Sequence, residues 1–270
     1  MTMVCAQVRA CRRLPFKRKG NLPVKRLVAY DLDGTLAESK QPIDPDTAAL
    51  LARLSKVAVV AVISGGDWPQ FEQQLVGKLP DDTNLDRLFL LPASGTKLYR
   101  YHARWDRVYA ELFTDEERAR ILEALASAVA KQGLGAARSW GDRIEDRGSQ
   151  ITFSGLGQQA PLDAKVAWDP DFAKRKRLQA ALIPLLPDFA VRVGGSTSID
   201  ITRKGIDKAY GMAKLVTASG IPAAQMIYIG DALYPGGNDF AVYEAGIDTV
   251  CVRDVAETRR VSEAIALCLA

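Results

Sequence analysis

Apolar and polar positions follow two different rhythms along this chain. Short continuous apolar runs, Arg26–Tyr30, Val57–Ile63 and Leu88–Leu91, alternate with segments whose apolar residues recur at helical spacing. A run that is apolar at every position suits a strand buried on both faces, which is the habit of parallel sheets covered by helices. The intervening helices are predicted over Pro45–Lys56, with Asp44 or Asp46 as the cap, and over Trp68–Lys78.

After residue 112 the rhythm changes. Thr114–Gln132 reads as a capped amphipathic helix with acids in its first turn. Strands are predicted near Arg143–Asp146 and Gln150–Ser154, then a charged helix over Pro170–Leu186, then strands over Ala190–Val193 and Ser198–Thr202. That α-β-β-α-β-β order with short links describes an antiparallel α+β module. From Lys208 the first rhythm returns: helix Lys208–Ser219, strand Gln225–Ile229, a helix near Phe240–Ala245, strand Thr249–Val252 and a last helix from Ala256. The expected fold class is α/β, a Rossmann-like parallel-sheet core (24–112 and 204–270) interrupted by an inserted α+β cap domain of αββαββ type (113–203). Ligands of such sheets bind outside the carboxyl ends of the strands, where an insert is well placed to close over them.

Composition adds little to this picture. The chain has 270 residues, 48% apolar and 25% charged, the balance of an ordinary globular protein. No apolar run reaches the roughly eighteen residues that suggest a bilayer span. Charge is more informative, because residues 1–26 carry eight Lys or Arg and no acid, leaving 28 bases against 32 acids elsewhere. The net charge of +4 therefore describes the first residues and is no argument for nucleic-acid binding by the body. Residues 1–23 read as a basic, disordered extension, with a targeting leader or a nucleic-acid arm as the alternatives. Cys5, Cys11, Cys251 and Cys268 have neither metal-site spacing nor the density of a disulfide framework, so a cytoplasmic location is expected. His102, the sole histidine, sits among Tyr99, Tyr101 and Trp105 near the module junction and reads as a surface or hinge residue.

Chemistry enters at the turns. Asp31 and Asp33, Ser64, and Asp231 with Asn238 and Asp239 each follow an apolar strand, so a shared sheet edge would gather them. A carboxylate that attacks phosphorus divides a slow hydrolysis into two easier steps. A second carboxylate two residues on can protonate the leaving oxygen and then activate water. Gly34 permits a sharp turn beside Thr35, and the backbone there and at Gly65 can hold phosphoryl oxygens. Asp31, Asp33, Asp231 and Asp239 are the candidate ligands of Mg2+, a hard cation suited to clustered carboxylates. Ser64 can donate to the transferring group, and Lys208 supplies a fixed positive charge. Asp-Leu-Asp-Gly alone could be an ordinary turn, and Ser64-Gly65-Gly66 an ordinary loop; their joint order is what speaks for a site.

That ordered set, DLDGT at 31–35, Ser64, Lys208 and GDALYPGGND at 230–239, resembles the haloacid dehalogenase superfamily. The position of the insert is similar to the type-two cap of its Cof-like branch, and the fourth motif is most similar to that of eukaryotic-type phosphomannomutases. The resemblance implies an aspartyl-phosphate on Asp31, Mg2+ and a cap that selects a phosphorylated small molecule. Neither nucleic acid nor a membrane is implied as a partner, and nothing in the sequence assigns an oligomeric state. One departure stands out: the mutases carry an arginine after a Pro-Ile-Gly turn, whereas here Gly155-Leu156-Gly157 is followed by Gln158. A mutase must grip a second phosphate, which arginine does bidentately and glutamine does not. Arg143, Arg147 or Lys165 could compensate, and the first two are the candidate substrate-binding residues of the module. Gln158 thus favours a phosphatase acting on a sugar phosphate over a hexose phosphate mutase.

Overall fold

A computed structural model describes residues 23–135, 138–194 and 197–270. The basic extension, with Cys5 and Cys11, lies outside the described residues except for its last position. Within them the chain divides into two compact units, one of residues up to Tyr109 together with Asp207–Ala270, the other of Ala110–Ile206.

The first unit is built on β1 (Leu27–Tyr30), β2 (Val59–Ile63), β3 (Leu88–Leu91), β4 (Lys97–Tyr101), β5 (Trp105–Ala110), β10 (Met226–Gly230) and β11 (Asp248–Cys251). They form one sheet in the order β11-β10-β1-β2-β3-β4-β5, parallel from β11 through β3, with β4 antiparallel to β3. The continuous apolar runs are explained by burial on both sides. Val28, Tyr30, Val60, Val62, Leu88 and Leu90 pack with α1 (Pro45–Val57) and with Phe71 of α2 (Trp68–Gln74). Their alternates Leu27, Ala29, Ala61, Ile63, Phe89 and Leu91 pack with Met212 and Leu215 of α6 (Lys208–Ser219). α7 (Phe240–Glu244) and α8 (Val255–Leu269) complete the cover. Capping follows the acids in the sequence: Asp44 accepts from Thr47 N, Asp207 from Tyr210 N and Asp254 from Glu257 N.

Several boundaries differ from expectation. Val57 closes α1 rather than opening β2, because the N–H of Ala58 still bonds back to Leu54. α2 stops at Gln74, and the segment to Lys78 is a 3₁₀ turn (Val76–Lys78) containing Gly77. β4 and β5 were not foreseen. Their mixture of aromatic and charged residues suits a sheet margin, and Trp68 stacks on Tyr99 with Trp105 beside them. His102 is exposed in the turn between β4 and β5.

The second unit packs α3 (Asp115–Lys131), α4 (Leu162–Trp168) and α5 (Ala173–Leu182) with a four-stranded sheet of β6 (Ile144–Asp146), β7 (Gln150–Ser154), β8 (Phe189–Val193) and β9 (Ser198–Arg203). Its order is β6-β7-β9-β8, antiparallel throughout. The helix expected over 170–186 is the shorter α5, and α4, which precedes it, was not expected. Phe172 takes a left-handed φ of 64°, and the buried Asp169 carboxylate accepts from Lys174 N, Arg175 N and the Arg175 guanidinium. One sheet face supplies Ile151, Phe153, Ile199 and Ile201 to a core with Ile121, Leu125, Leu178 and Leu182. The other face is polar and hydrogen-bonded: Thr152 donates to Asp200 (2.7 Å), and Ser154 and Thr197 share a hydroxyl contact (3.0 Å).

No helix among the described residues is long and apolar enough to cross a membrane. Cys268 is free and exposed.

Candidate active site

Asp31 follows the last residue of β1, a strand held between β2 and β10, and its N–H bonds to Ile229 O (3.0 Å). The residue is 4% exposed. One carboxylate oxygen, Oδ1, accepts from Leu32 N at 2.7 Å and pairs with Lys208 Nζ at 2.7 Å. Lys208 is the first residue of α6, and Asp207 as cap fixes where that helix begins. The same ammonium reaches Asp239 Oδ1 at 2.6 Å. Asp239, with no exposed surface, also accepts from the Tyr228 hydroxyl (2.5 Å) and from Ala232 N (3.0 Å). Asp231 lies at the end of β10 and accepts from Thr35 Oγ1 at 3.2 Å. Gly34, at φ +84°, leaves room for it: a Cβ there would meet Asp231 Oδ2 at 2.8 Å.

Carboxylate oxygens of Asp31, Asp231 and Asp239 lie within 4.8 Å of one another. Three acids around a single ammonium leave uncompensated negative charge in a buried place. Burial pushes the Asp31 carboxyl up to about 8, with the carboxylates of Asp239 and Asp231 adding to the rise and Lys208 opposing it. Asp231 is raised for the same two reasons, burial and then Asp239. For Lys208, burial works against the charge, but Asp239 and Asp31 outweigh it and the ammonium is held charged. A carboxylate set with excess charge and all-oxygen donors fits a hard dication such as Mg2+. Asp31 and Asp231 are its natural holders, since both oxygens of Asp239 already accept from protein donors.

Ser64 directly follows β2, in a loop fixed by backbone contacts to the end of β3 and to the turn after it. Its N–H bonds to Leu91 O, its carbonyl accepts from Ser94 N (2.8 Å), and Gly66 O accepts from Ala93 N (2.9 Å). Ser64 Oγ, buried, accepts from Gly66 N at 3.2 Å. The supporting turn is backbone-strained, with φ of 48° at Ala93 and 57° at Ser94. Gly95 follows at φ +90°, and a Cβ on it would overlap the Cα of Gly211 in α6. This glycine pair brings the Ser64 support against the helix that begins with Lys208.

Other expected residues are placed differently. The Asp33 side chain is not in the carboxylate cluster; it points to α2, accepting from Gln70 Nε2 at 2.8 Å and Gln74 Nε2 at 3.3 Å. Its expected role as a side-chain metal ligand has no support in that geometry. Asn238 is exposed. In the second unit, Arg143 donates to Leu134 O (2.7 Å) and lines an apolar cavity of about 450 Å³ with Leu125, Val129 and Phe153. Arg147 forms a two-pronged pair with Glu145 at 2.9 and 2.8 Å. Gln158 donates its N–H to Asp142 O and accepts at its carbonyl from Lys165 Nζ, while its Nε2 is buried without a hydrogen-bond partner. Tyr228, Gln70 and Gln74 were not singled out from the sequence. A hydroxyl-bearing residue in the otherwise apolar β10 was the one available signal for Tyr228.

A parallel sheet whose strand ends gather carboxylates around a buried lysine defines a member of the haloacid dehalogenase superfamily. A solved haloacid dehalogenase-like hydrolase from Bacteroides thetaiotaomicron shares the fold, with a TM-score of 0.61 and 17% identity, over 89% of this chain and 99% of that one. Within the superfamily the chain belongs to the eukaryotic phosphomannomutase family, whose model matches residues 47–266. It is 24% identical to phosphomannomutase of Schizosaccharomyces pombe over 227 residues, 81% of this chain and 85% of the relative. To human phosphomannomutase 1 it is 26% identical over 224 residues, 80% of this chain and 82% of the relative.

Proposed function

We propose that this protein is a Mg2+-dependent phosphatase that hydrolyses a sugar phosphate through an aspartyl-phosphate on Asp31. The observation that carries the reading is Asp31 itself, buried at the end of β1 against Lys208 and beside Asp231 and Asp239. A carboxylate oxygen of Asp31 attacks phosphorus and the bond to the leaving oxygen breaks, with the proton of the Asp33 carboxyl going to that oxygen. Water then attacks the same phosphorus and gives its proton to Asp33, and the bond to Asp31 breaks, releasing phosphate. Lys208 keeps Asp31 in place, and Ser64 with the amides after Asp31 and Ser64 holds the phosphoryl oxygens. Asp31 and Asp231 would hold Mg2+, which would supply positive charge against the phosphoryl group. The α+β unit acts as the cap that selects the substrate.

Gln158 supports water as the acceptor, because a neutral amide stands where the mutase pattern has a guanidinium for a second phosphate. A second reading, a hexose phosphate mutase, is supported by the family match over residues 47–266. Incubation with Mg2+ and mannose 1-phosphate separates the two. Free phosphate without mannose 6-phosphate supports hydrolysis; isomerisation that needs a sugar bisphosphate overturns it in favour of the mutase.

A further inference from the structure

Gln70 and Gln74 lie four residues apart on α2, so their side chains share one face of that helix. Both amides reach the Asp33 carboxylate: Gln70 Nε2 donates to Oδ2 (2.8 Å) and Gln74 Nε2 to Oδ1 (3.3 Å). A third donor, Lys40 N, meets Oδ1 at 2.6 Å, delivered by a left-handed backbone at φ 59°. Gln74 is itself anchored, being 2% exposed and donating to Gln41 O at 2.8 Å. The other end of the Gln70 amide lies over Gly66, where a Cβ would overlap Oε1. Gln70 thus spans from the loop after Ser64 to the loop after Asp31, and Gly66 is the residue that leaves it room.

From this geometry we infer that Gln70 and Gln74 are positioning residues that fix the direction of the Asp33 carboxyl for proton transfer to the leaving oxygen. The inference rests on the proposed role of Asp33 and adds the residues that aim it. A carboxyl on a short side chain rotates freely about two bonds, and a proton donor serves only within hydrogen-bond reach of its acceptor. Donors on both oxygens remove that freedom, as a supporting shell must for a group to act at a set place. Neither glutamine hydrogen-bonds to Asp31, Lys208 or Asp231, so their loss leaves those residues with every partner described above.

Leaving-group dependence provides the test. A p-nitrophenolate departs without a proton, whereas a primary alkoxide needs one. With Mg2+ present, kcat/KM is measured for p-nitrophenyl phosphate and for the best primary alkyl phosphate substrate of the wild-type protein. Gln70→Leu and Gln70→Glu, the latter keeping the shape but losing the donor, are expected to lose at least tenfold more activity on the alkyl than on the aryl ester. Asp33→Asn is expected to show the same split, larger. Equal losses on both esters, no loss, or a gain on the alkyl ester in the Gln70 variants overturns the inference. If Asp33→Asn splits the esters and the Gln70 variants do not, the positioning role fails and the acid remains. If Asp33→Asn shows no split, the proposed acid and its aiming residues fall together. Thermal melts report whether each variant is folded, and Gln70→Glu remains testable if Gln70→Leu is not.

Discussion

Gly95 and Gly211 meet backbone to backbone, with no room for a Cβ on Gly95 beside the Gly211 Cα. The contact joins the strained turn that supports Ser64 to the first turns of the helix that presents Lys208. Gly95→Ala is therefore expected to destabilise the protein by about 2–4 kcal/mol, from a side chain at positive φ and from overpacking. Urea unfolding checks the value. Gly211→Ala, whose Cβ would lie 3.0 Å from Ile63 Cγ2 and Ser94 O, is expected to cost less.

Asp31→Asn removes the attacking oxygen without changing side-chain shape. Turnover of p-nitrophenyl phosphate is expected to fall by at least about a thousandfold, since removing a catalytic nucleophile can cost far more than that. The far-ultraviolet circular dichroism spectrum should stay unchanged. Near-normal activity in this variant would sink the proposed mechanism.

Lys208→Met leaves Asp31 and Asp239 buried without their cation. Breaking a buried pair from one side costs about 3–5 kcal/mol, and that loss is expected here in metal-free buffer. Some of it should return when Mg2+ is added, since a dication answers the same charge. Paired denaturation curves with and without metal measure both effects.

The raised Asp31 carboxyl gives a pH dependence with a definite sign. Folded, Asp31 holds its proton up to about 8; unfolded, it releases it near the ordinary value of about 3.9. The folded state then binds the extra proton, so this contribution is fully present below the unfolded value and is lost as pH rises towards 8. Metal competes with that proton. Magnesium is therefore expected to raise the melting temperature more at pH 8 than at pH 5, and melts at the two pH values decide it.

The parallel strands and the order of the chemical turns were legible in the sequence because each has a local signature. Leu27–Tyr30 is apolar at every position since both its faces are covered, and the acids stand directly after such runs. The β4–β5 pair was not legible, because Lys97–Tyr101 and Trp105–Ala110 mix charge with aromatics at a sheet margin. Nor was the helix Leu162–Trp168, or the turn after it in which the buried Asp169 carboxylate accepts from Lys174 N and Arg175 N. The aim of Asp33 towards α2 is a matter of helix position, which residue spacing along the chain does not contain.

The sheet order also has a consequence for synthesis. β1 lies between β2, encoded some thirty residues later, and β10, encoded about two hundred residues later. While the ribosome is still making the α+β unit, one edge of β1 is bare and Asp31 has no lysine. The contiguous unit, Ala110–Ile206, has all its own strands before the other sheet can be finished. A nascent chain therefore carries an unpaired strand edge, a template for wrong partners, until residues 226–230 emerge. The charged cluster around Asp31 is complete only once Lys208, Asp231 and Asp239 have been made, so a shorter nascent chain holds Asp31 without those partners.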